Sequence, residues 1–197
     1  MRIDRVDPAD LPGAYRVCLA TGDAGEDATG LHADPNLLGH VFVGPYLGLE
    51  ARHAFVLRDG DAVLGYALGA RDTADFERRC EARWWPPLRA MYPPDAPRPE
   101  RDAELVRLLY APERTPTDRL ASHPSHLHVD LLPPARGRGL GRAMIEAVLA
   151  SLVEADSPGV HLGVARRNTR AVGFYQHLGW RWLADEGDAA ILGWRPS

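Results

Sequence analysis

The sequence predicts an α/β fold built on one mixed sheet. An alternating strand over 126–132 leads through a glycine-rich turn into an amphipathic helix over 138–153, and a second alternating strand follows over 160–164. Strand, helix and strand in this length form a right-handed parallel crossover. Hairpin signals at Asp59-Gly60 and Glu186-Gly187 add antiparallel pairs on either side. The sheet is therefore expected to be mixed.

Composition is that of an ordinary globular protein. The chain has 197 residues, 45% hydrophobic and 25% charged, which favours one domain over 1–197 with an insertion at about 71–119. A net charge of −4 argues against nucleic acid as a partner, and because all 23 positive residues are arginine, lysine nucleophiles are excluded. The sequence shows no signal-peptide core and no apolar run of membrane-spanning length, so we expect no membrane partner and a cytoplasmic location.

The first half is expected to contain three strands and two helices. The predicted strands cover 2–6, 53–57 and 62–69, and the predicted helices run from 8 or 9 through 19 and near 36–43. A polar, glycine-rich loop separates the two helices at 21–30. Gly44-Pro45 is expected to end the second helix.

The stretch 71–119 is unusually long for a connection between strands of one sheet, so it is expected to pack over one face of the sheet or to line a cleft. It contains Trp84-Trp85 and a predicted helix over 100–110. Exposed tryptophans are costly, so both are expected to be buried. The sequence leaves open whether they face the core or an acceptor pocket.

The loop from Arg136 to Gly141 is the strongest chemical signal in the chain. Free N–H groups at a helix start favour an anion, glycine allows close approach, and arginine adds charge. A Walker A loop requires a lysine, which the chain lacks, and the spacing Gly-x-Gly-x-Gly differs from the dinucleotide fingerprint. Two alternatives remain: the acyl-CoA loop Arg/Gln-x-x-Gly-x-Gly, and a tight turn that serves helix packing.

A second motif decides between them. Arg136-x-x-Gly139-x-Gly141 followed by Asn168-x-x-Ala171-x-x-x-Tyr175-x-x-x-Gly179-Trp180 resembles the signature of the GNAT superfamily of N-acetyltransferases. Further segments resemble the acetyltransferase-like C-terminal domain of O-GlcNAcase and its stand-alone bacterial relatives over about 41–180; they are Gly44-Pro45-Tyr46-Leu47, Gly65-Tyr66-Ala67-Leu68-Gly69, Cys80-Glu81 with Trp85-Pro86, Tyr92-Pro93 and His126-Leu127-His128-Val129-Asp130. The resemblance implies the GNAT fold, a strongly twisted sheet with helices on both faces.

The same resemblance implies acetyl-CoA as co-substrate, lying between the strand that ends at Leu132 and the strand over 160–164. The pyrophosphate is then expected on backbone N–H groups from Gly137 to Arg142. The residues implied to bind the cofactor are Leu131, Leu132, Arg136, Gly137, Arg138, Gly139, Leu140, Gly141, Arg142, Asn168 and Tyr175. For Asn168, a helix N-cap explains the residue equally well.

Three side chains are candidates for catalysis. Alternation places His126, His128 and Asp130 on one face of their strand, and a polar face on a central strand indicates a cleft. Asp130 is the first candidate for general base or amine anchor, and His128 is the second. Tyr175 matches the family tyrosine that protonates the CoA sulfur, although a core tyrosine would show the same pattern. The N–H near Leu131 is expected to stabilise the oxyanion.

The expected reaction is direct acetyl transfer to an amine in a ternary complex. The acceptor stays open among a protein lysine, a peptide N-terminus and a small amine, and a homodimer is possible. The alternative function is a catalytically silent acetyl-CoA-binding or interaction module. His123, His126, His128 and Asp130 could also be metal ligands, but the sequence lacks a recognised metal-binding motif and no metal is expected. Asp72, Asp75 and Glu81 could bind a cationic acceptor or form solvated surface.

Overall fold

The computed structural model describes residues 1–196. Within them lies a sheet with the strand order β1-β2-β3-β4-β5-β7-β6. The strands are β1 (Arg2–Arg5), β2 (Ala54–Asp59), β3 (Ala62–Ala70), β4 (Ser125–Leu131), β5 (Val160–Ala165), β6 (Arg181–Glu186) and β7 (Ala189–Trp194). Of the neighbouring pairs, β4 with β5 is parallel and the others are antiparallel. The predicted mixed sheet is confirmed.

In the described part of the chain, the helices lie in four connections, between β1 and β2, β3 and β4, β4 and β5, and β5 and β6. They are α1 (Leu11–Leu19), α2 (Leu37–Phe42), α3 (Gly44–Leu49), α4 (Thr73–Arg79), a π-helical turn (Cys80–Trp84), α5 (Trp85–Met91), α6 (Glu100–Tyr110), α7 (Thr117–Ser122), α8 (Leu140–Val153) and α9 (Thr169–His177). Short 3₁₀ turns occur at Pro8–Asp10, Thr29–Leu31, Ala51–His53 and Pro133–Ala135. The predicted helix over 100–110 is confirmed at both ends.

Helices cover both faces of the sheet, as the resemblance implied. On one face α1 to α6 pack on strand residues such as Tyr66 and Leu68. On the other face α8 and α9 pack on residues such as Ala67 and Leu127. Neighbouring residues of β3 thus contribute to opposite cores, which is the alternation that a doubly covered strand requires.

The sequence missed helix α3. It placed the end of the second helix correctly before Gly44-Pro45, but a further helix begins at that pair. Proline is tolerated in the first turn of a helix, where its missing N–H would have no intrahelical partner. The proline that ends one helix therefore also starts the next.

The two tryptophans of the 71–119 stretch have different surroundings. Trp84 is half-buried, and its indole Nε1–H donates to the carbonyl of His40 at 2.9 Å. Its ring lies so close to Gly44 and Gly48 that a Cβ at either glycine would come within 2.4 and 2.8 Å of it, respectively. Trp85 is 8% exposed and lines a cavity beside the sheet. One tryptophan therefore packs on α3 and the other faces the cavity.

Among the residues that the structure describes, no helix combines the length and the apolar character needed to cross a membrane.

Candidate active site

The site forms where β4 and β5 separate. The two strands pair at Ser125–Val160 and His126–His161, and β4 then runs on to Leu131 without further pairing to β5. On the opposite edge, the N–H of Leu132 donates to the carbonyl of Leu64 at 2.8 Å. Because successive residues of a strand point to opposite edges, the N–H and C=O of Leu131 face the gap toward β5.

The glycine loop between β4 and α8 presents an open cradle of N–H groups. Gly137 and Gly139 both have φ of +73°, and a Cβ added to either would meet nothing within 4 Å. The first donation into helix α8 is from the N–H of Ala143 to the carbonyl of Gly139 at 3.1 Å. Over residues 1–196, the N–H groups of 137–142 find no acceptor in the protein. These residues fit a pyrophosphate.

The arginines of this loop have different partners from those the motif suggested. Arg136 is half-buried and points inward, where its Nε donates to the carbonyl of Leu131 and its Nη2 to that of Gly25, both at 2.8 Å. Arg142 pairs with Glu146 at 2.7 Å. The Arg136 guanidinium therefore braces the loop against β4, and the exposed Arg138 is nearer to solvent.

Asp130 is half-buried on the face of β4 that the sequence predicted. The hydroxyl of Tyr66, its cross-strand neighbour on β3, donates to Oδ2 at 2.7 Å. Burial raises the pKa of Asp130 to about 6, and the Tyr66 hydrogen bond and the positive charge of Arg136 limit that rise. A carboxylate with this pKa is ionised at neutral pH and is a far better proton acceptor than an exposed one.

The histidines on the same face of β4 are neutral at physiological pH. Burial lowers the pKa of His128 to about 4. Burial, together with His128 and His161, holds the pKa of His126 well below its usual range. His126 is also bound on both nitrogens, to Tyr46 and Thr73 at 2.7 Å each. His126 therefore has no nitrogen free for proton transfer.

Tyr175 lies on α9, 7% exposed, with its ring 5.7 Å from that of Trp180. Burial and, to a smaller degree, the negative charge of Asp130 raise its pKa above that of a free phenol. No acceptor for its hydroxyl occurs among residues 1–196, and that oxygen is not among the buried unpaired atoms. The phenol is therefore protonated at neutral pH and free to donate.

Asn168 is occupied by the protein itself. Its Oδ1 accepts from the N–H of Ala171 at 3.1 Å, as a helix N-cap does, and its Nδ2 donates to the carbonyl of Ala24 at 2.8 Å. The predicted cap is confirmed. With both side-chain atoms engaged, a structural role explains the residue.

A cavity of about 380 Å³ adjoins the gap on the Asp130 face of the sheet. Its floor includes His126, His128 and His161, and the predicted cleft beside the polar face of β4 is thereby confirmed. The sequence missed the Tyr66–Asp130 and Tyr46–His126 pairs. Pairing the two predicted strands in register would have found the first of them, because Tyr66 and Asp130 are direct cross-strand partners.

The acidic residues considered for a cationic acceptor are engaged elsewhere. Asp72 caps α4 by accepting from the N–H of Asp75 at 2.9 Å, and Asp75 pairs with Arg79 at 2.7 Å. Glu81 forms a two-point ion pair with Arg89 at 2.5 and 2.9 Å.

In the described part of the chain, no group of three or more histidine, cysteine and acidic side chains is arranged to hold a metal.

Comparison with known proteins identifies the fold that this geometry belongs to. Residues 31–180 match the acetyltransferase (GNAT) family. This chain belongs to that family. Because the chain belongs to this family, acetyl-CoA is its co-substrate.

The protein is also similar to curated relatives and solved structures. It is 31% identical to protein O-GlcNAcase of Rattus norvegicus over 195 residues, which is 94% of this chain and 21% of that protein. The chain thus spans about a fifth of the length of the curated relatives it matches. It superposes on the crystal structure of SsHAT with a TM-score of 0.91 and 39% identity, covering 98% of this chain and 97% of the other. The resemblance to the GNAT superfamily and the resemblance to the C-terminal domain of O-GlcNAcase, both predicted from the sequence, are confirmed.

A more distant likeness shows the fold alone. The protein yncA of Salmonella typhimurium, solved with its cofactor acetyl-CoA, gives a TM-score of 0.58 at 15% identity, with 98% of this chain and 92% of that chain covered.

Proposed function

We propose that this protein transfers the acetyl group of acetyl-CoA directly to an amine, with Asp130 as general base and Tyr175 as general acid. One observation carries the proposal. A carboxylate with a pKa of about 6 and a protonated phenol without a protein acceptor interact electrostatically beside the β4–β5 gap. Those are the two proton-transfer groups that acetyl transfer from a thioester to an amine requires.

Acetyl-CoA supplies the thioester whose acetyl carbon the amine attacks. The N–H groups of 137–142 would hold its pyrophosphate, because they point outward from the start of α8 without protein acceptors. The carbonyl of Leu131 faces the gap and can accept a second hydrogen bond from the pantetheine arm beside the one from Arg136. Leu132 contributes less than the sequence suggested, since its N–H is already bound to Leu64.

Asp130 takes up the proton that the amine loses as its nitrogen bonds to the acetyl carbon. His128 is a weaker base, since a pKa of about 4 leaves little driving force for accepting a proton. The N–H of Leu131 would donate to the carbonyl oxygen as negative charge develops on it. Tyr175 then gives its proton to the sulfur as the carbon–sulfur bond breaks, and solvent restores the phenol.

The role of Tyr175 as general acid is tested with a variant and a matched control. Tyr175→Phe should lower kcat by about a hundredfold, the usual contribution of a general acid, and leave the Kd for acetyl-CoA within twofold. Tyr110→Phe is the matched control, because its hydroxyl bonds to the carbonyl of Arg89 on α5, outside the site. A Tyr175→Phe protein with the wild-type kcat would remove Tyr175 as the acid.

The predicted cytoplasmic location and homodimer stay predictions.

A further inference from the structure

We infer that the acceptor is a small primary amine with an apolar or aromatic body and no carboxylate, bound in the 380 Å³ cavity beside the β4–β5 gap. This inference rests on the proposed function and names its substrate class. Four features of the cavity carry it: its size and outer border, its aromatic wall, the pairing of its charges and the acceptor atoms of its floor.

The outer side of the cavity is lined by the segment 111–116, which joins α6 to α7. Glu77 on α4 holds this segment by accepting from the N–H and the hydroxyl of Thr115 at 3.0 and 2.8 Å. Arg119 on α7 is ion-paired with Glu186 at the β6–β7 hairpin. A lysine within a peptide brings flanking backbone that must lie outside the cavity, and the segment and the hairpin occupy this side of it. A volume of about 380 Å³ suits a small molecule.

The wall of the cavity is aromatic and aliphatic. Phe76 and Trp85 are buried against it, whereas Phe42 lines the cavity and is still 38% exposed. An apolar ligand would cover this exposed ring and gain the hydrophobic free energy of doing so.

The arginines at the cavity are already paired with carboxylates. Nη1 of Arg114 lies 3.6 Å from Oε2 of Glu77, and its Nη2 lies 3.8 Å from Oε2 of Glu81. Arg119 pairs with Glu186. Within residues 1–196, the cavity therefore offers a ligand carboxylate no unpaired arginine. Burying such a group unpaired is costly, so amino acids should be excluded.

The floor presents lone pairs to a ligand N–H. Thr73 donates to the carbonyl of Pro124 at 2.7 Å and so accepts from Nδ1–H of His126, which leaves Nε2 of His126 to accept from Tyr46. The Tyr46 oxygen keeps its lone pairs free for a donor. His161 likewise donates from Nδ1 to the carbonyl of His123 at 2.8 Å, so its Nε2 is an acceptor. The floor thus matches an amine.

The test is calorimetric binding to the protein saturated with CoA, with three probes. They are 2-phenylethylamine, phenylalanine, which adds only the carboxylate, and a lysine-containing peptide. We expect 2-phenylethylamine to bind at least tenfold more tightly than either of the others. Phe42→Ala should weaken that binding about fivefold, whereas Met91→Ala, which removes a side chain 62% exposed outside the cavity, should not change it.

Acetyl-transfer assays with the same probes separate the two proposals. Binding of 2-phenylethylamine without any acetylated product would overturn the proposed function and leave the acceptor site in place. Transfer to the peptide with a kcat/KM equal to or above that for 2-phenylethylamine would overturn the inference and leave the function standing. Equal binding of phenylalanine would also overturn it.

Discussion

The Tyr66 hydroxyl donates a 2.7 Å hydrogen bond to Oδ2 of Asp130 across strands β3 and β4. The bond connects a tyrosine that is 2% exposed to the carboxylate at the edge of the β4–β5 gap. It fixes one oxygen of the carboxylate, and in our proposal the other oxygen accepts the proton of the amine. It also stabilises the charged form, which keeps the pKa of Asp130 from rising further with burial.

The acid limb of the pH–rate profile should report this carboxylate. Only ionised Asp130 can accept the proton of the amine, so kcat in the ternary complex should fall as pH drops through about 6. The measurement is kcat at saturating acetyl-CoA and amine from pH 5 to 9. A rate that stays level down to pH 5 would contradict the assignment of Asp130 as base.

Tyr66→Phe should move that limb to higher pH. Removing the hydroxyl removes a hydrogen bond to the charged carboxylate, so the pKa of Asp130 rises above about 6. We expect kcat to be reduced most at pH 6 and to recover toward the wild-type value at pH 9. A uniform loss at all pH values would indicate that Tyr66 acts only through packing.

Asp130→Asn should stabilise the fold while it abolishes transfer. The folded-state pKa of about 6 lies above the value of about 3.9 for an unfolded aspartate, so ionisation disfavours the folded state as pH rises from 4 to 6. Above pH 6 the carboxylate costs on the order of 3 kcal/mol, which an amide avoids while still accepting from Tyr66.

The check is the melting temperature of both proteins at pH 4 and pH 8. The variant should melt higher at pH 8, and the difference should shrink at pH 4. Asp59→Asn, on the exposed β2–β3 hairpin, serves as the control without a stability gain. A variant that is less stable than wild type at pH 8 would show that the carboxylate is stabilised by its surroundings.

Gly139→Val should remove acetyl-CoA binding. A side chain at this residue would project from the cradle at a φ of +73°, where a β-branched residue is also strained. Gly60→Val is matched for strain, because Gly60 has a φ of +58° with nothing within 4 Å of its Cβ position, and it lies in the β2–β3 turn. Both variants should lose stability, and calorimetry should show that only Gly139→Val loses affinity for acetyl-CoA. Equal affinity in both would contradict the loop assignment.

Local patterns predicted most of the fold. The alternation in β4, the cap at Asn168 and the end of α9 at Gly179, which has a φ of +86°, each depend on residues close together in the chain. Helix α3 was missed because Gly44-Pro45 both ends a helix and starts one.

The site was predictable only in part, because its contacts join distant residues. The Tyr66 hydroxyl reaches Asp130 across 64 positions, and Arg136 reaches the carbonyl of Gly25 across 111. The motif placed Arg136 at the pyrophosphate, but the shape of the loop turns its guanidinium toward two backbone carbonyls. Contacts of this kind depend on strand register and loop geometry, which no local pattern encodes.

Transfer of a labelled acetyl group would establish or refute acetyl transfer by this protein. The protein is incubated at pH 8 with acetyl-CoA carrying ¹³C in the acetyl group and with 2-phenylethylamine, other small amines and a lysine peptide as acceptors. We expect a labelled amide, formed one for one with released CoA, and its loss in Asp130→Asn. Tight binding of acetyl-CoA with no amide from any acceptor would contradict the proposed function and would identify a silent acetyl-CoA-binding module.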